Sequence, residues 1–312
     1  MTTRGLSTSA DRSHWAMWDG QWLPLDQVLV SVDDPGLMHG AILVERMRTF
    51  GGIPFLQASH EARMSHGARY LGWKLESPLA DWITQLLEKN RQWVATQGGD
   101  VGVVVLGFPP TSQDSNSRSR LLLHLTALPW RDLSRWYQQG LSLWFSDIRA
   151  TDHGTWPVWL KSRSRLNYYQ ADRQVHLAGS DGIALLAQAD GMVADTSIAN
   201  LLVCTEQGSW VTPSWDAGVI GITLLWILER SMEMGQRISV EPVSRRTVER
   251  ARELWLCGTT SGLCHVSTLQ GRPCPIPAED SWMRRFRENW FDWVGTNFVA
   301  DALGVSADGA IH

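Results

Sequence analysis

Lysine is scarce in this chain. Only three of the 28 basic residues are lysines, at positions 74, 89 and 161, and the other 25 are arginines. Lys161 therefore raises a question, because it directly follows the apolar run Val158-Trp159-Leu160. If position 161 were only a surface position with no chemical role, the arginine that the chain uses at most other basic positions would serve there equally well.

Other absences exclude whole classes of protein. The four cysteines include no Cys-x-x-Cys pair, so we expect reduced and mostly buried thiols. No uninterrupted apolar run approaches the roughly 20 residues of a membrane span, and residues 1–15 lack the apolar segment of a signal peptide. The net charge of −4 gives no reason to expect nucleic acid as a partner. We expect a cytoplasmic protein with no membrane partner, no nucleic acid and no metal, in which residues 1–15 are a loose leader.

Strand and helix patterns alternate along the chain, which predicts an α/β fold. At 312 residues the chain is long enough for two domains. We expect an N-terminal α/β domain at 16–128, a linker at 129–140 and a C-terminal α/β domain at 141–312. The local expectations are a hairpin at 17–22 and strands at 28–32, 42–50 and 157–160. We also expect a helix capped by Ser59, one helix from Leu79 to Trp93 and one tail helix at 280–303. A further helix is expected at 164–178, with an apolar side through Leu166, Tyr169 and Val175.

Lys161 is a candidate nucleophile. Its side chain begins at what we expect to be the end of an apolar strand, from which the amine can point into a cleft. Burial disfavours the charged form of lysine, and the neutral amine is the form that makes an imine with a carbonyl. A lysine at the protein surface is the commoner case and stays open.

Two turns and one arginine are suited to an anion. Gly221-Ile222-Thr223 opens a long helix, so backbone N–H groups and a hydroxyl converge there as they do at phosphate sites. Thr259 and Thr260 offer more such groups at a strand end, and Arg63 would add a bidentate clamp. The alternatives are an ordinary helix N-cap and an exposed helical arginine.

Asp195 lies between a turn and an apolar strand. An aspartate at such a boundary commonly forms a turn with its own backbone. The functional alternative is a carboxylate that keeps a ring nitrogen protonated. The residues alone leave both interpretations open.

Six segments, in this order along the chain, resemble motifs of the class IV pyridoxal-phosphate (PLP) enzymes. That family includes branched-chain aminotransferases, D-amino-acid aminotransferases and 4-amino-4-deoxychorismate lyases. Each segment is loose alone, and the ordered set is specific. The segments are HGAILVERMR, HEARM, LKSRSRLNYYQA, GMVADTSIANLLV, TPSWDAGVIGIT and GTTSGLCHV, within roughly residues 16–275.

The resemblance implies a two-domain fold of type IV with PLP between the domains, and it assigns roles by position. Lys161 matches the Schiff-base lysine, which is also the general acid and base. Asp195 matches the acidic residue that faces the pyridine nitrogen, where the family usually has glutamate. The implied phosphate ligands are Arg63, Ile222, Thr223 and Thr259, and the implied substrate-binding residues are His39, Arg46, Arg48 and Thr260.

Within the family, LKSRSRL is most similar to the lyases' Lys-x-x-Asn-Arg-Leu, with Ser164 where asparagine is usual. The resemblance therefore implies conversion of 4-amino-4-deoxychorismate to 4-aminobenzoate and pyruvate, a folate-precursor reaction, by a homodimer that takes a small anionic amino substrate. The first alternative is a class IV aminotransferase acting on branched-chain or D-amino acids. The second is a PLP-binding protein without catalysis, which the departures at Asp195 and Leu224 keep open.

Overall fold

The structure is a computed structural model that describes residues 14–75, 78–111, 118–152 and 154–307. Most of the expected leader, residues 1–13, lies outside the described residues. The described chain divides into two compact units. The N-terminal unit consists mainly of the residues up to Pro129 together with Leu160–Ser164, and the C-terminal unit consists of Trp130–Trp159 and Arg165–Ser306. Each unit contains one sheet with helices, which confirms the α/β prediction.

The N-terminal unit is built on a six-stranded antiparallel sheet in the order β2-β1-β6-β5-β3-β4. Asp19 and Gly20 have φ angles of 51° and 85°, as a two-residue hairpin turn requires, and they confirm the hairpin at 17–22. The strands are β1 (Trp15–Trp18), β2 (Gln21–Pro24), β3 (Leu43–Phe50), β4 (Ile53–Pro54), β5 (Val101–Phe108) and β6 (Arg120–Ala127). The helices are α1 (Pro35–His39), α2 (Gln57–Tyr70), α3 (Leu79–Lys89) and α4 (Arg91–Thr96), with a short 3₁₀ helix at Leu25–Gln27.

The C-terminal unit is built on a mixed nine-stranded sheet, with strands in the order β12-β11-β10-β13-β14-β7-β8-β9 and β15 paired to β14. The pairs β11–β12, β14–β7 and β7–β8 are parallel. The strands are β7 (Leu141–Arg149), β8 (Ile183–Ala187), β9 (Val193–Thr196), β10 (Asn200–Cys204), β11 (Trp210–Thr212), β12 (Ile238–Val240), β13 (Glu253–Gly258), β14 (Gly262–Leu269) and β15 (Arg272–Pro273). The helices are α5 (Trp130–Gln139), α6 (Leu166–Leu177), α7 (Ile222–Glu233), α8 (Arg245–Glu249), α9 (Trp282–Val294) and α10 (Phe298–Ala307). The stretch expected as a linker, 129–140, is thus almost entirely helix α5.

Two expected strands are wrong. Residues 28–32 form no strand; Val28 and Val30 pack against an apolar cluster around Phe108, while Leu29 and Val32 are each 82% exposed. Alternating burial therefore occurs there without a partner strand to complete a ladder. Residues 157–160 form no strand; Val158 and Trp159 lie in a turn, so Lys161 follows a turn instead of a strand end.

Four helix expectations also need correction, two of them in the N-terminal unit. The helix expected to be capped by Ser59 starts at Gln57, because Leu56 takes the left-handed conformation at its N-cap. The helix expected from Leu79 to Trp93 breaks at Asn90 into α3 and α4. The side chain of Asn90 accepts a hydrogen bond from the Trp15 N–H at 2.7 Å, which ties this break to β1.

The remaining corrections concern α6 and the tail. On the expected apolar side of α6 only Val175 is buried, whereas Leu166 and Tyr169 are 68% and 63% exposed and Tyr168 is buried instead. The expected single tail helix is two helices, because Gly295, with φ 72°, ends α9.

Candidate active site

A buried ion pair in the N-terminal unit holds Arg63. Glu45 of β3 is 2% exposed and accepts hydrogen bonds from Nε and Nη2 of Arg63, both at 2.7 Å. Nδ1 of His60 lies 2.7 Å from the same carboxylate. His60 and Arg63 are three residues apart on α2, so they lie on one side of the helix and both reach Glu45. Arg63 is therefore a partly buried residue held in place by Glu45, and not an exposed helical arginine.

The charges of this cluster are well defined. Burial opposes ionisation of Glu45, but the charge of Arg63 and the hydrogen bonds from Arg63 and His60 outweigh it and lower the pKa to about 2. Burial lowers the pKa of His60, and the charges of Arg63 and Lys161 lower it further, while the bond and charge of Glu45 oppose this shift. Near pH 7 the cluster is an ionised carboxylate between a guanidinium and a neutral imidazole.

Lys161 lies in a short segment that pairs antiparallel with the start of β3. The Val44 N–H donates to the Lys161 C=O at 3.0 Å, and the Arg163 N–H donates to the Ile42 C=O at 2.8 Å. Leu43 and Ser162 form an antiparallel bridge between these bonds, so Lys161 lies opposite Val44. The charge of Lys161 also reaches His60. The structure thus brings Lys161 and the Arg63 cluster together at one end of β3.

The predicted substrate-binding residues of this unit are spread along β3 and the turn before it. His39 is exposed at the end of α1, next to Gly40, whose C=O accepts a hydrogen bond from the Ser164 hydroxyl at 2.9 Å. Arg46 is partly buried. Arg48 is only 1% exposed and lies with Cζ 4.5 Å from the centre of the Phe50 ring. Arg48 is therefore embedded in the sheet, and Arg46 is the more accessible of the two arginines.

In the C-terminal unit the N-terminus of α7 is shaped for an anion. Gly221 is its N-cap and no side chain caps it, while Ile222 and Thr223 are buried in its first turn. A Cβ at Gly221 would lie 2.1 Å from Oδ1 of Asn200, whose Nδ2 donates to the Val219 C=O at 3.0 Å. A side chain at position 221 would have to displace Asn200, and the backbone N–H groups of a 12-residue helix begin there.

Thr259 and Thr260 lie in the turn between β13 and β14, close to the same strand end. A Cβ at Gly258, the residue before Thr259, would lie 2.8 Å from the Ile198 C=O. Cys257 pairs with Asn200 in the register of β13 and β10. The threonine turn and the N-terminus of α7 therefore both border the start of β10, and the structure brings Thr223, Thr259 and Thr260 into one region.

Asp195 lies within β9, not in the expected turn before a strand. It is 6% exposed, and Oδ1 accepts a hydrogen bond from the Tyr168 hydroxyl at 2.8 Å. Burial and the charge of Asp195 raise the pKa of Tyr168 well above its ordinary value, so Tyr168 stays a donor. A Cβ at Gly218 would be 2.7 Å from Oδ2, and both residues line a cavity with Asn200 and Leu224.

The sequence analysis did not identify several residues that hold the candidate site side chains in position. Glu45 and His60 hold Arg63, Tyr168 holds Asp195, and Asn200 shapes the glycine turn. One signal was available. Glu45 is an acidic residue on the apolar side of a strand, and such a residue is buried only with a partner. For Tyr168, by contrast, the sequence pattern misleads, because it predicts that Leu166 and Tyr169 lie on the buried side of α6.

The residues of the C-terminal unit fit a phosphorylated nitrogen heterocycle. A helix start without a side-chain cap, with neighbouring hydroxyls and no room for a side chain at Gly221, suits a phosphate. A buried carboxylate held by the Tyr168 hydroxyl suits a protonated ring nitrogen. Among the residues that the structure describes, no group of three or more His, Cys, Asp or Glu is placed to hold a metal ion. No helix in the described ranges combines the length and apolar character needed to cross a membrane.

Comparison with known proteins defines the class. The family model described as amino-transferase class IV matches residues 42–269, and the chain belongs to this family. A putative branched-chain-amino-acid aminotransferase of Methanocaldococcus jannaschii is 24% identical over 264 residues, which cover 81% of this chain and 87% of that protein.

Two solved structures show the same fold. The branched-chain amino acid aminotransferase from Thermobaculum terrenum, in its PLP form, has a TM-score of 0.78 at 17% identity and covers 92% of this chain and 96% of its own. The 4-amino-4-deoxychorismate lyase from Pseudomonas aeruginosa has a TM-score of 0.73 at 24% identity and covers 89% and 98%. The expected family and fold are thereby confirmed. The relatives include both aminotransferases and a lyase, so the comparisons do not decide between these two activities.

Proposed function

We propose that the chain binds PLP and cleaves 4-amino-4-deoxychorismate to 4-aminobenzoate and pyruvate. PLP supplies an electron sink for carbanion chemistry at the carbon next to an imine. On this proposal Lys161 forms the Schiff base, Arg63, Ile222, Thr223 and Thr259 hold the phosphate, and Asp195 keeps the pyridine nitrogen protonated. Tyr168 would position Asp195 by its 2.8 Å hydrogen bond.

The chain's own residues would move one proton. With the substrate amine on the cofactor, the Lys161 amine would be free to remove the ring C–H proton as a general base. The C–O bond to the side chain would then break, releasing enolpyruvate and leaving an aromatic ring, and the proton held by Lys161 could be returned to convert enolpyruvate into pyruvate. Thr260 and Arg46 would bind carboxylate groups of the substrate, and His39 would lie at its edge.

The observation that carries the lyase proposal is the placement of positive charge. The resemblance puts Gly107 of β5 where aminotransferases often have a carboxylate-binding arginine, and glycine supplies no charge there; a Cβ at Gly107 would meet Met64 and Leu43 at 3.4 and 3.5 Å. Arg46 instead places one partly exposed guanidinium on β3, the strand with which the Lys161 segment pairs, whereas Arg48 is only 1% exposed. This arrangement favours an anionic substrate over the apolar side chain of a branched amino acid.

An aminotransferase is the second candidate, favoured by the name of the M. jannaschii relative. Incubation of the holoprotein with 4-amino-4-deoxychorismate and no keto acid separates the two. Release of 4-aminobenzoate and pyruvate supports the lyase, whereas turnover only after addition of a keto acid supports the aminotransferase. Bound PLP with neither activity indicates a binding protein.

Borohydride reduction followed by peptide mapping tests the assignment of Lys161. We expect the label on Lys161; label on Lys74 or Lys89 would contradict it. Asp195→Asn tests the second residue, because it removes the charge with little change of shape. We expect the variant to retain PLP and to lose most of its turnover. Normal turnover would show that Asp195 has only a structural role in β9.

A further inference from the structure

The threonine turn has a buried side and a partly exposed side. Gly258 and Gly262 pair across the ends of β13 and β14, so Thr259, Thr260 and Ser261 form a three-residue hairpin loop. Thr259 and Thr260 are partly exposed, whereas Ser261 is only 4% exposed. The loop therefore presents its two threonines outward and points Ser261 into the protein.

Tyr137 of α5 reaches the buried side of this turn. Its hydroxyl donates to the Ser261 C=O at 2.8 Å, and the tyrosine itself is 6% exposed. The Cys264 thiol lies 3.7 Å from the same oxygen, but a thiol is a weak donor. Because a buried carbonyl is costly to leave without a good donor, the tyrosine hydroxyl fixes the direction of the Ser261 C=O.

Helix α10 supports the same turn where β14 begins. Gly262 has a φ of 62°, and a Cβ there would lie 3.2 Å from Cε2 of Phe298, the first residue of α10. Phe298 is buried, and its ring centre is 5.9 Å from that of Tyr137. The family model ends at residue 269, so this support lies outside the part of the chain that the model matches.

We propose that Tyr137 is a positioning residue that holds the threonine turn in its ligand-binding conformation, with Phe298 as its support. The proposal rests on the proposed function, in which Thr259 holds the cofactor phosphate and Thr260 binds a substrate carboxylate. Without the tyrosine hydroxyl, the Ser261 C=O can turn toward other donors, and the neighbouring backbone of the turn moves with it. A ligand then binds only the fraction of molecules in which the turn is correctly formed, and its apparent affinity falls by that fraction.

Two ligands separate this role from a general contribution to folding. PLP carries the phosphate, whereas pyridoxal has the same ring and aldehyde without it. The ratio of their affinities therefore measures what the phosphate contacts contribute, as one side of a double-mutant cycle does. A change that only loosens the fold weakens both ligands alike, whereas a displaced threonine turn weakens PLP selectively.

Absorbance titration of the full-length protein with PLP and with pyridoxal measures this ratio. We expect Tyr137→Phe to weaken PLP on the order of tenfold, as loss of one buried hydrogen bond implies, and pyridoxal by less than about twofold. Phe298→Leu should lower the ratio in the same direction by a smaller factor. Tyr169→Phe is the matched control, because Tyr169 is 63% exposed on α6, and both affinities should stay at their wild-type values.

Steady-state kinetics with 4-amino-4-deoxychorismate at saturating PLP give a second readout. Tyr137→Phe should raise KM and leave kcat unchanged, because the turn binds the substrate but takes no part in proton transfer. Equal PLP-to-pyridoxal ratios in the wild type and Tyr137→Phe would overturn the proposal, even if the variant unfolds more easily. An unchanged ratio in Phe298→Leu would overturn the supporting role of α10.

The same measurements distinguish this proposal from the proposed function. A lower ratio in Tyr137→Phe, with a wild-type protein that does not cleave 4-amino-4-deoxychorismate, would keep the positioning role and reject the lyase. Cleavage by the wild type together with an unchanged ratio in Tyr137→Phe would do the reverse.

Discussion

In the N-terminal unit Arg63 is held by a charged side chain, Glu45, whereas in the C-terminal unit the N-terminus of α7 is shaped by Gly221 and Asn200 without a formal charge. Both arrangements suit an anion. The first depends on side-chain charges, which single substitutions remove and protonation alters. The second depends on backbone N–H groups, which are insensitive to pH and are disturbed mainly by added atoms.

The comparison teaches where each unit is vulnerable. Glu45 compensates a buried guanidinium, so loss of its charge affects folding as well as any ligand. Around Gly221 the donors are main-chain groups, so steric change is the effective perturbation. Four substitutions, two in each unit, test this difference.

Glu45→Gln is expected to have the largest effect. It leaves the partly buried Arg63 guanidinium without its carboxylate, and breaking a buried ion pair costs about 3–5 kcal/mol. Denaturant unfolding of the purified protein measures the loss. Glu249→Gln is the control, because its partner Arg245 is 58% exposed and such pairs contribute less than about 1 kcal/mol. Equal unfolding midpoints for the two variants would show that Glu45 is not needed for folding.

His124 is expected to make the N-terminal unit sensitive to mild acid. Its folded-state pKa of about 4 lies below the ordinary 6.5, so the unfolded chain binds a proton first as the pH falls. Its contribution to stability is therefore complete above about pH 6.5 and is lost as the pH falls toward 4, by at most about 3 kcal/mol. Glu45, with a pKa of about 2, loses its own contribution only at lower pH, as the pH falls from about 4.5 toward 2.

Stability measured from pH 7 to pH 4 tests this order. The curve of His124→Asn should be flatter than that of the wild type. His265 gives the matching variant in the C-terminal unit, because burial, followed by the charges of Arg287 and Arg284, lowers its pKa to about 4 as well. Flattening in His265→Asn alone would locate the acid sensitivity in the C-terminal unit.

Gly221→Ala is expected to perturb the backbone-built site by steric overlap. The new Cβ would lie 2.1 Å from Oδ1 of Asn200, and such overpacking costs about 1–3 kcal/mol. PLP affinity should fall as well, because the first turn of α7 has to move. Gly304→Ala is the control, since Gly304 lies in α10 with no atom within 4 Å of the added Cβ. Unchanged stability and PLP binding in Gly221→Ala would mean that Asn200 yields without cost.

Much of the sheet structure could be predicted because its signals are local. Asp19-Gly20 specifies a hairpin, and alternation within 42–50 correctly places Arg46 and Arg48 on one side of β3. The prediction of a strand at 28–32 was wrong for a non-local reason. An alternating apolar segment forms a strand only where a neighbouring strand can hydrogen-bond with it.

The sequence suggests candidate site residues, but it does not predict the residues that hold them in place. Gly221 and Thr223 carry a local signature of a helix start. Glu45 and His60 are 15 residues apart, and Tyr168 and Asp195 are 27 apart, so their hydrogen bonds depend on how helices pack on the sheets. No spacing rule within one element predicts such a pair.

Tyr168→Phe should have the smallest effect of the four, and it separates positioning from folding in the C-terminal unit. The variant keeps the ring over which the Arg165 guanidinium lies at 4.4 Å, and it removes only the hydroxyl that donates to Asp195. Loss of one such hydrogen bond costs about 1 kcal/mol. A double-mutant cycle with Asp195→Asn measures the coupling, because residues in direct contact give non-additive effects. A coupling near zero in unfolding, together with an unchanged pH profile of turnover, would show that Tyr168 neither stabilises nor positions Asp195. A measurable coupling with a shifted pH profile would show that this neutral hydroxyl does for Asp195 what the charged Glu45 does for Arg63.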